Sequence, residues 1–135
     1  MLGTLQQSNL RIELDASAST VRESLVKPAL LQQWLWPQRL PEGLPEELQS
    51  GAKFTTCLGP IAVHHQVQTL ESDRLVLLLS QGIDGFHEWI WGDGWVQSRL
   101  EGVTLLPINL GQTVSLWRLR EYLVEREKHG SKVSL

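Results

Sequence analysis

The sequence predicts an α+β domain, and three observations carry that prediction. From Gly51 to about Pro107 apolar residues recur at every second position, the mark of half-buried strands. Ahead of that stretch lie one alternating segment and two brief helical segments, and behind it comes a single long helical segment. The third observation is aromatic: the 135 residues include six tryptophans, and Trp89, Trp91 and Trp95 crowd into one ten-residue run. Tryptophan buries a large aromatic area, and its indole N–H needs a partner when buried. A small domain this rich in it has either an oversized core or an aromatic-walled cavity.

Leu10, Ile12 and Leu14 alternate with Asn9, Arg11, Glu13 and Asp15, which predicts a first strand with one buried face. Thr20 and Glu23 stand at capping-box spacing, so a helix is expected from Thr20, burying Val21 and Leu25. Pro28 disrupts a helix interior but suits a first turn. The segment therefore reads as two short helices broken at Lys27-Pro28, the second ending at Trp34. Trp36 to Gly51, with Pro37, Pro41 and Pro45, is too long for an ordinary connection and reads as a lid or binding loop.

Two hairpins follow. With Gly59-Pro60 as a turn, Leu58 faces Ile61, Thr56 faces Val63 and Phe54 faces His65, leaving Thr55, His64 and Gln66 on the other side. Arg74–Ser80 is a strand too uniformly apolar for a register to be assigned. Asp93-Gly94 is a strong hairpin signal, expected as a type I′ turn. It sets Trp91 against Val96, Trp89 against Ser98 and His87 against Leu100, while Glu88 meets Arg99 and Ile90 meets Gln97 on the opposite face. A three-residue turn would mix apolar and polar faces. A last strand is expected around Val103–Ile108, then a helix from about Leu110 to Lys128 closed by His129 and Gly130. On that helix Val114, Trp117 and Val124 form one apolar stripe and Leu116, Leu119 and Leu123 another. Thr113, Arg120 and Glu127 lie in a polar seam between them.

Composition narrows the class. Twelve Lys and Arg against fifteen Asp and Glu give a net charge of −3, which argues against a nucleic-acid footprint. The lone Cys57 excludes an intrachain disulfide and fits a reducing, cytoplasmic setting. The N-terminal residues have no signal-peptide pattern, and Leu2 stands where myristoylation requires glycine. The longest fully apolar run, Leu75–Leu79, is far short of the ~20 residues of a membrane span. A chain of this length reads as one domain, residues 1–135, able to bury roughly two-thirds of its unfolded surface.

The order of elements, with Ala16-Ser17, Val21, Leu25, Pro28, Leu31 and Trp34, resembles the SRPBCC or START-like helix-grip superfamily from about Asn9 to Lys128. That superfamily includes polyketide cyclases and aromatases, lipid-transfer domains and heat-shock-protein ATPase activators. The resemblance implies a curved antiparallel sheet wrapped around the C-terminal helix, an enclosed apolar cavity, and a mouth near the loop after the short helices. It brings no universal catalytic residues. The short Gln81–Gly85 connection implies a reduced cavity.

Candidate ligand contacts follow from the predicted inner faces: Trp34 on the second helix, Phe54, Val63 and His65 on the first hairpin, His87, Trp89 and Trp91 on the second, and Trp117 and Arg120 on the last helix. Trp89 and Trp91 either stack on a ligand or fill the interior as core. His65 and His87 are either ligand contacts or hydrogen-bonded core residues. Arg120 pairs with Glu127, snorkels to the rim, or anchors an anionic ligand group. Neighbouring His64 and His65 point opposite ways along a strand, and no ligand set has standard metal spacing, so neither a metal nor another cofactor is expected. Ser80, Ser98 and Ser115 lack the context of a nucleophile, and no phosphate loop or dinucleotide fingerprint occurs.

Three functions fit. The first is binding of a small hydrophobic ligand (aromatic, isoprenoid or lipid-like) in an internal cavity. The second is a cyclase- or aromatase-type enzyme using His65 or His87 as acid or base; whether there is catalysis is left open. The third is a protein-interaction module similar to the ATPase activators. A second copy of the chain is a further candidate partner; nucleic acid and integral membrane are not.

Overall fold

The computed structural model describes residues 3–35 and 38–133, with side chains described to residue 126. Strand β1 (Thr4–Glu13) leads into helices α1 (Ala18–Val26) and α2 (Pro28–Trp34). Five strands follow: β2 (Lys53–Leu58), β3 (Ile61–Leu70), β4 (Arg74–Gln81), β5 (Asp84–Gly92) and β6 (Trp95–Thr104). Helix α3 (Ile108–Val133) closes the chain. The strands form one antiparallel sheet in the order β1-β6-β5-β4-β3-β2. Helix α3 packs on β1 and β6, α2 on α3, and α1 on β5. This is the α+β helix-grip architecture, with the two short helices after the first strand.

Each hairpin has the register its side-chain alternation requires. Phe54 pairs with His65, Thr56 with Val63 and Leu58 with Ile61. Trp91 pairs with Val96, Trp89 with Ser98, His87 with Leu100 and Glu88 with Arg99. The Asp93-Gly94 turn is nonetheless not of type I′, because only Gly94 has a positive φ, of 84°. One left-handed residue at the second turn position is the type II arrangement. It leaves Asp93 free to cap α1, its Oδ1 accepting the Ala18 backbone N–H at 2.7 Å.

Several local expectations are corrected. Helix α1 starts at Ala18, because Ser17, not Thr20, is its N-cap and accepts the Thr20 backbone N–H at 3.2 Å. Glu23 does not reach back to cap; its carboxylate meets Arg126 of α3 at 2.7 Å. Glu88 and Arg99 are register neighbours but not an ion pair. Glu88 bonds Arg74 on the other flanking strand at 2.7 Å, while Arg99 lies over Phe86 and 3.6 Å from Glu101. There is no separate strand at Val103–Ile108: Val103 and Thr104 end β6, and Ile108 opens α3. Gly102 does not interrupt β6, since it packs flat against Gly85, where an added Cβ would fall 1.9 Å from the Glu101 carbonyl oxygen.

The two-sided reading of α3 fails. Ile108, Gln112, Leu116, Leu119 and Leu123 are buried on one face, at the i+4, i+3 steps of an ordinary amphipathic helix. Trp117 is 59 % exposed, Val124 is 37 % exposed and Arg120 faces solvent. A helix lying on a sheet has only one side to bury, and among the described residues nothing covers the other. Glu127, the partner proposed for Arg120, lies outside the residues whose side chains are described.

Candidate functional site: an apolar cavity with two neutral histidines

A cavity of about 300 Å³ lies between the inner face of the sheet, the two short helices and the first half of α3. Strand alternation aims Leu75, Leu77 and Leu79 of β4 into it, and the segment after α2 adds Leu35, Gln38 and Leu48. That segment is tied down. Leu48 is buried and its N–H meets the Val26 carbonyl at 2.8 Å, while the backbones of Arg39 and Cys57 exchange two hydrogen bonds. The cavity opens beside the first turns of α3, where Leu110 lines the wall and is 62 % exposed.

Six of the nine residues singled out from the sequence line this cavity: Trp34, Phe54, Val63, His65, His87 and Trp89. Trp34 is fixed by its Nε1–H to the Ser24 carbonyl at 3.0 Å and by Arg118, whose Nε–H meets the Trp34 carbonyl at 2.9 Å. Its ring meets Trp89 edge to face at 6.0 Å. Trp91 points to the same side of the sheet but is buried beyond the cavity, toward the end of β5, where its Nε1–H has no partner among the described residues. Trp117 and Arg120 are outside, on the solvent face of α3. The sequence reading missed the β4 leucines, whose uniform run hides which members point inward. It also missed Gln112, whose i+4 spacing from Ile108 and to Leu116 was the available signal.

The polar groups of the wall are few and uncharged. His65 Nε2 is 2.9 Å from Thr56 Oγ1, its ring stacks on Phe54 at 4.7 Å, and its Nδ1 is buried without a partner among the described residues. Burial, followed by the charge of His64, pushes His65 down to about 4. His87 Nε2 is 2.7 Å from Ser98 Oγ, and its ring lies 4.6 Å from Trp89. Burial first and then the charge of His65 push His87 down to about 3. Both imidazoles are neutral at physiological pH because no partner in this apolar setting stabilises the cation. Bases this weak have little capacity to abstract a proton at neutral pH. Among the described residues no three His, Cys, Asp or Glu side chains converge as metal ligands.

No family model matches the chain, and no curated protein matches it. Its fold is found in solved structures. Protein CV1439 from Chromobacterium violaceum superposes with a TM-score of 0.69 at 18 % identity, over 85 % of this chain and 95 % of that one. An AHSA1-like protein from Aeromonas hydrophila gives 0.68 at 14 % identity, over 90 % and 94 %. The Aha1 dimer from Colwellia psychrerythraea gives 0.62 at 14 % identity, over 86 % and 94 %. At these identities the likeness is one of fold alone.

Proposed function

We propose that this chain binds a small, neutral, largely apolar molecule in the helix-grip cavity. One observation carries the reading: about 300 Å³ stays open although Trp34 and Trp89 stand at its wall and Trp91 lies beside it. That volume is at the low end for ligand pockets and suits a molecule of one or two rings. Among the described residues the wall includes no Asp, Glu, Lys or Arg, and Arg120, the candidate anchor for an anion, lies on the far side of α3. A buried unpaired ligand charge would be costly there. The acid–base alternative is disfavoured by the low basicity of both histidines. Titration with tetralin, a two-ring hydrocarbon, tests the reading through tryptophan emission. A saturable change that is lost in Leu100→Trp, which fills the cavity, is expected. A response unaltered by that filling would overturn it.

A second reading concerns α3. Leu110, Trp117 and Val124 form an exposed apolar stripe, and the Colwellia protein is described as a dimer. We propose that this stripe meets a second copy of the chain. Sedimentation equilibrium should then show a dimer that Trp117→Ser dissociates. A wild-type monomer at high concentration would sink the idea. No described helix is long and apolar enough to cross a membrane, and a reducing cytoplasmic setting is proposed from the single Cys57.

A further inference from the structure

The hydrogen bonds behind the cavity wall fix which nitrogen of His87 carries its proton. Gln112 lies on the buried face of α3. Its Nε2 lies 2.8 Å from the Ser98 carbonyl, 3.3 Å from the Ser8 carbonyl and 3.0 Å from Ser98 Oγ. Two of these partners are backbone carbonyls, which only accept, so this end of the amide is the NH₂ and the other end is the oxygen. Gln112 Oε1 then accepts from Ser8 Oγ, which in turn accepts from Asn109 Nδ2 at 2.8 Å.

Ser98 is fully buried. Its hydroxyl oxygen accepts from Gln112, and its own proton needs an acceptor. Among the described residues the remaining partner is His87 Nε2 at 2.7 Å. A Ser98 O–H aimed elsewhere would be an unsatisfied buried donor, a costly state. The hydroxyl therefore donates to Nε2, which must be unprotonated, and the proton of the neutral ring sits on Nδ1. Nδ1 has no hydrogen bond to the protein among the described residues and retains accessible surface. The half-buried ring lines the cavity.

We propose that Ser98 and Gln112 hold His87 as the Nδ1–H tautomer, and that this N–H is an oriented donor that selects ligands carrying an acceptor oxygen, such as an aryl ketone. The assignment rests on the cavity-binding reading and adds a specificity determinant to it. His87 touches the ligand; Ser98 and Gln112 are positioning residues that act through it. A hydrocarbon filling the same space would leave the N–H unpaired.

Two measurements test this. Long-range ¹H–¹⁵N correlation spectra of the full chain at pH 7 read the tautomer without any ligand. The expected result is a protonated Nδ1 in the wild type and a mixture of tautomers in Ser98→Ala. An Nε2–H in the wild type would overturn the assignment. The second measurement compares 1-tetralone with tetralin, which differ by one carbonyl oxygen. The ketone should bind about five- to tenfold tighter to the wild type, and about equally with the hydrocarbon to His87→Phe. Equal affinities in the wild type overturn the donor role alone and leave the cavity reading standing. Failure of both compounds to bind overturns the two together.

Discussion

Asp93 Oδ1 accepts the Ala18 backbone N–H at 2.7 Å, so the turn between β5 and β6 caps the first turn of α1. Two backbone bonds reinforce the junction, Gly94 N–H to the Ala16 carbonyl at 2.9 Å and Leu14 N–H to the Gly94 carbonyl at 3.0 Å. A hairpin that could have been a surface ornament thus positions the helix that roofs the cavity. The carboxylate also sits at the positive end of the helix. Asp93→Ala should cost about 1 kcal/mol, as loss of a helix cap does, and Asp93→Asn should recover most of it. Urea midpoints measure both. An alanine variant as stable as the wild type would show that the backbone bonds alone secure the junction.

Acid should weaken the fold through the two wall histidines. Their folded values, about 4 for His65 and about 3 for His87, lie below the ordinary 6.5. Between these values the unfolded chain takes up protons that the native state refuses. Stability is therefore fully present above about 6.5 and falls as pH drops toward the folded values, by ~1.4 kcal/mol per pH unit for each ring. Glu23 acts in the same direction at lower pH. The hydrogen bond from Arg126 holds its carboxyl below 4.5, so its contribution is present above that value and lost as pH falls through the folded one. Denaturation at pH 7.5, 5.5 and 4.5 should show a shallower decline for His87→Phe. An unchanged slope would mean the ring is protonated in the native state.

Truncating the wall should cost less than truncating the packed core. Leu119 is fully buried beneath α3, and Leu119→Ala should lose about 3–5 kcal/mol. Leu79 faces the cavity and already lacks neighbours on that side, so Leu79→Ala should lose about 2 kcal/mol and admit bulkier probes. Equal losses in thermal or urea unfolding would indicate that the cavity collapses around Leu79.

Charge should decide which ligands enter. Methyl 2-naphthoate and 2-naphthoate share a ring system, but at neutral pH only the ester lacks a charge. With no cationic side chain on the wall among the described residues, the ester should bind at least tenfold tighter. Calorimetry at pH 7 reads the ratio. A preference for the carboxylate would require a cation near the mouth and would revive an anchoring role for an arginine.

The sequence shows this fold best where polar and apolar residues alternate against a turn. Phe54 against His65 and Trp89 against Ser98 follow from alternation alone, because a one-residue slip would turn both faces inside out. The same alternation puts Phe54, Val63, His65, His87 and Trp89 on one inner face, where they line the cavity. It gave no purchase on β4, where Leu78 points outward in the same apolar run as the inward Leu77 and Leu79. On α3 it erred for a different reason. Trp117 and Val124 have helical spacing, but spacing cannot reveal whether a neighbour exists to cover them. Arg120 went astray with them. The polar chain through Ser98, Gln112 and Ser8 reaches from the last helix to the first strand, 104 positions from Gln112 to Ser8, and no local pattern announces it.

The pairing of Arg39 with Cys57 has a consequence for the outer border of the sheet. β2 is the last strand of the sheet on its side, and a bare outer strand is a template on which another chain can polymerise. Arg39 occupies that template at Cys57 with two backbone bonds, and the charge beside it discourages an incoming strand. Growth of a cross-β stack from this border would first require the segment to be peeled away. Gln38 lines the cavity and its neighbour Arg39 covers the sheet border, so one short segment serves both the interior and the edge.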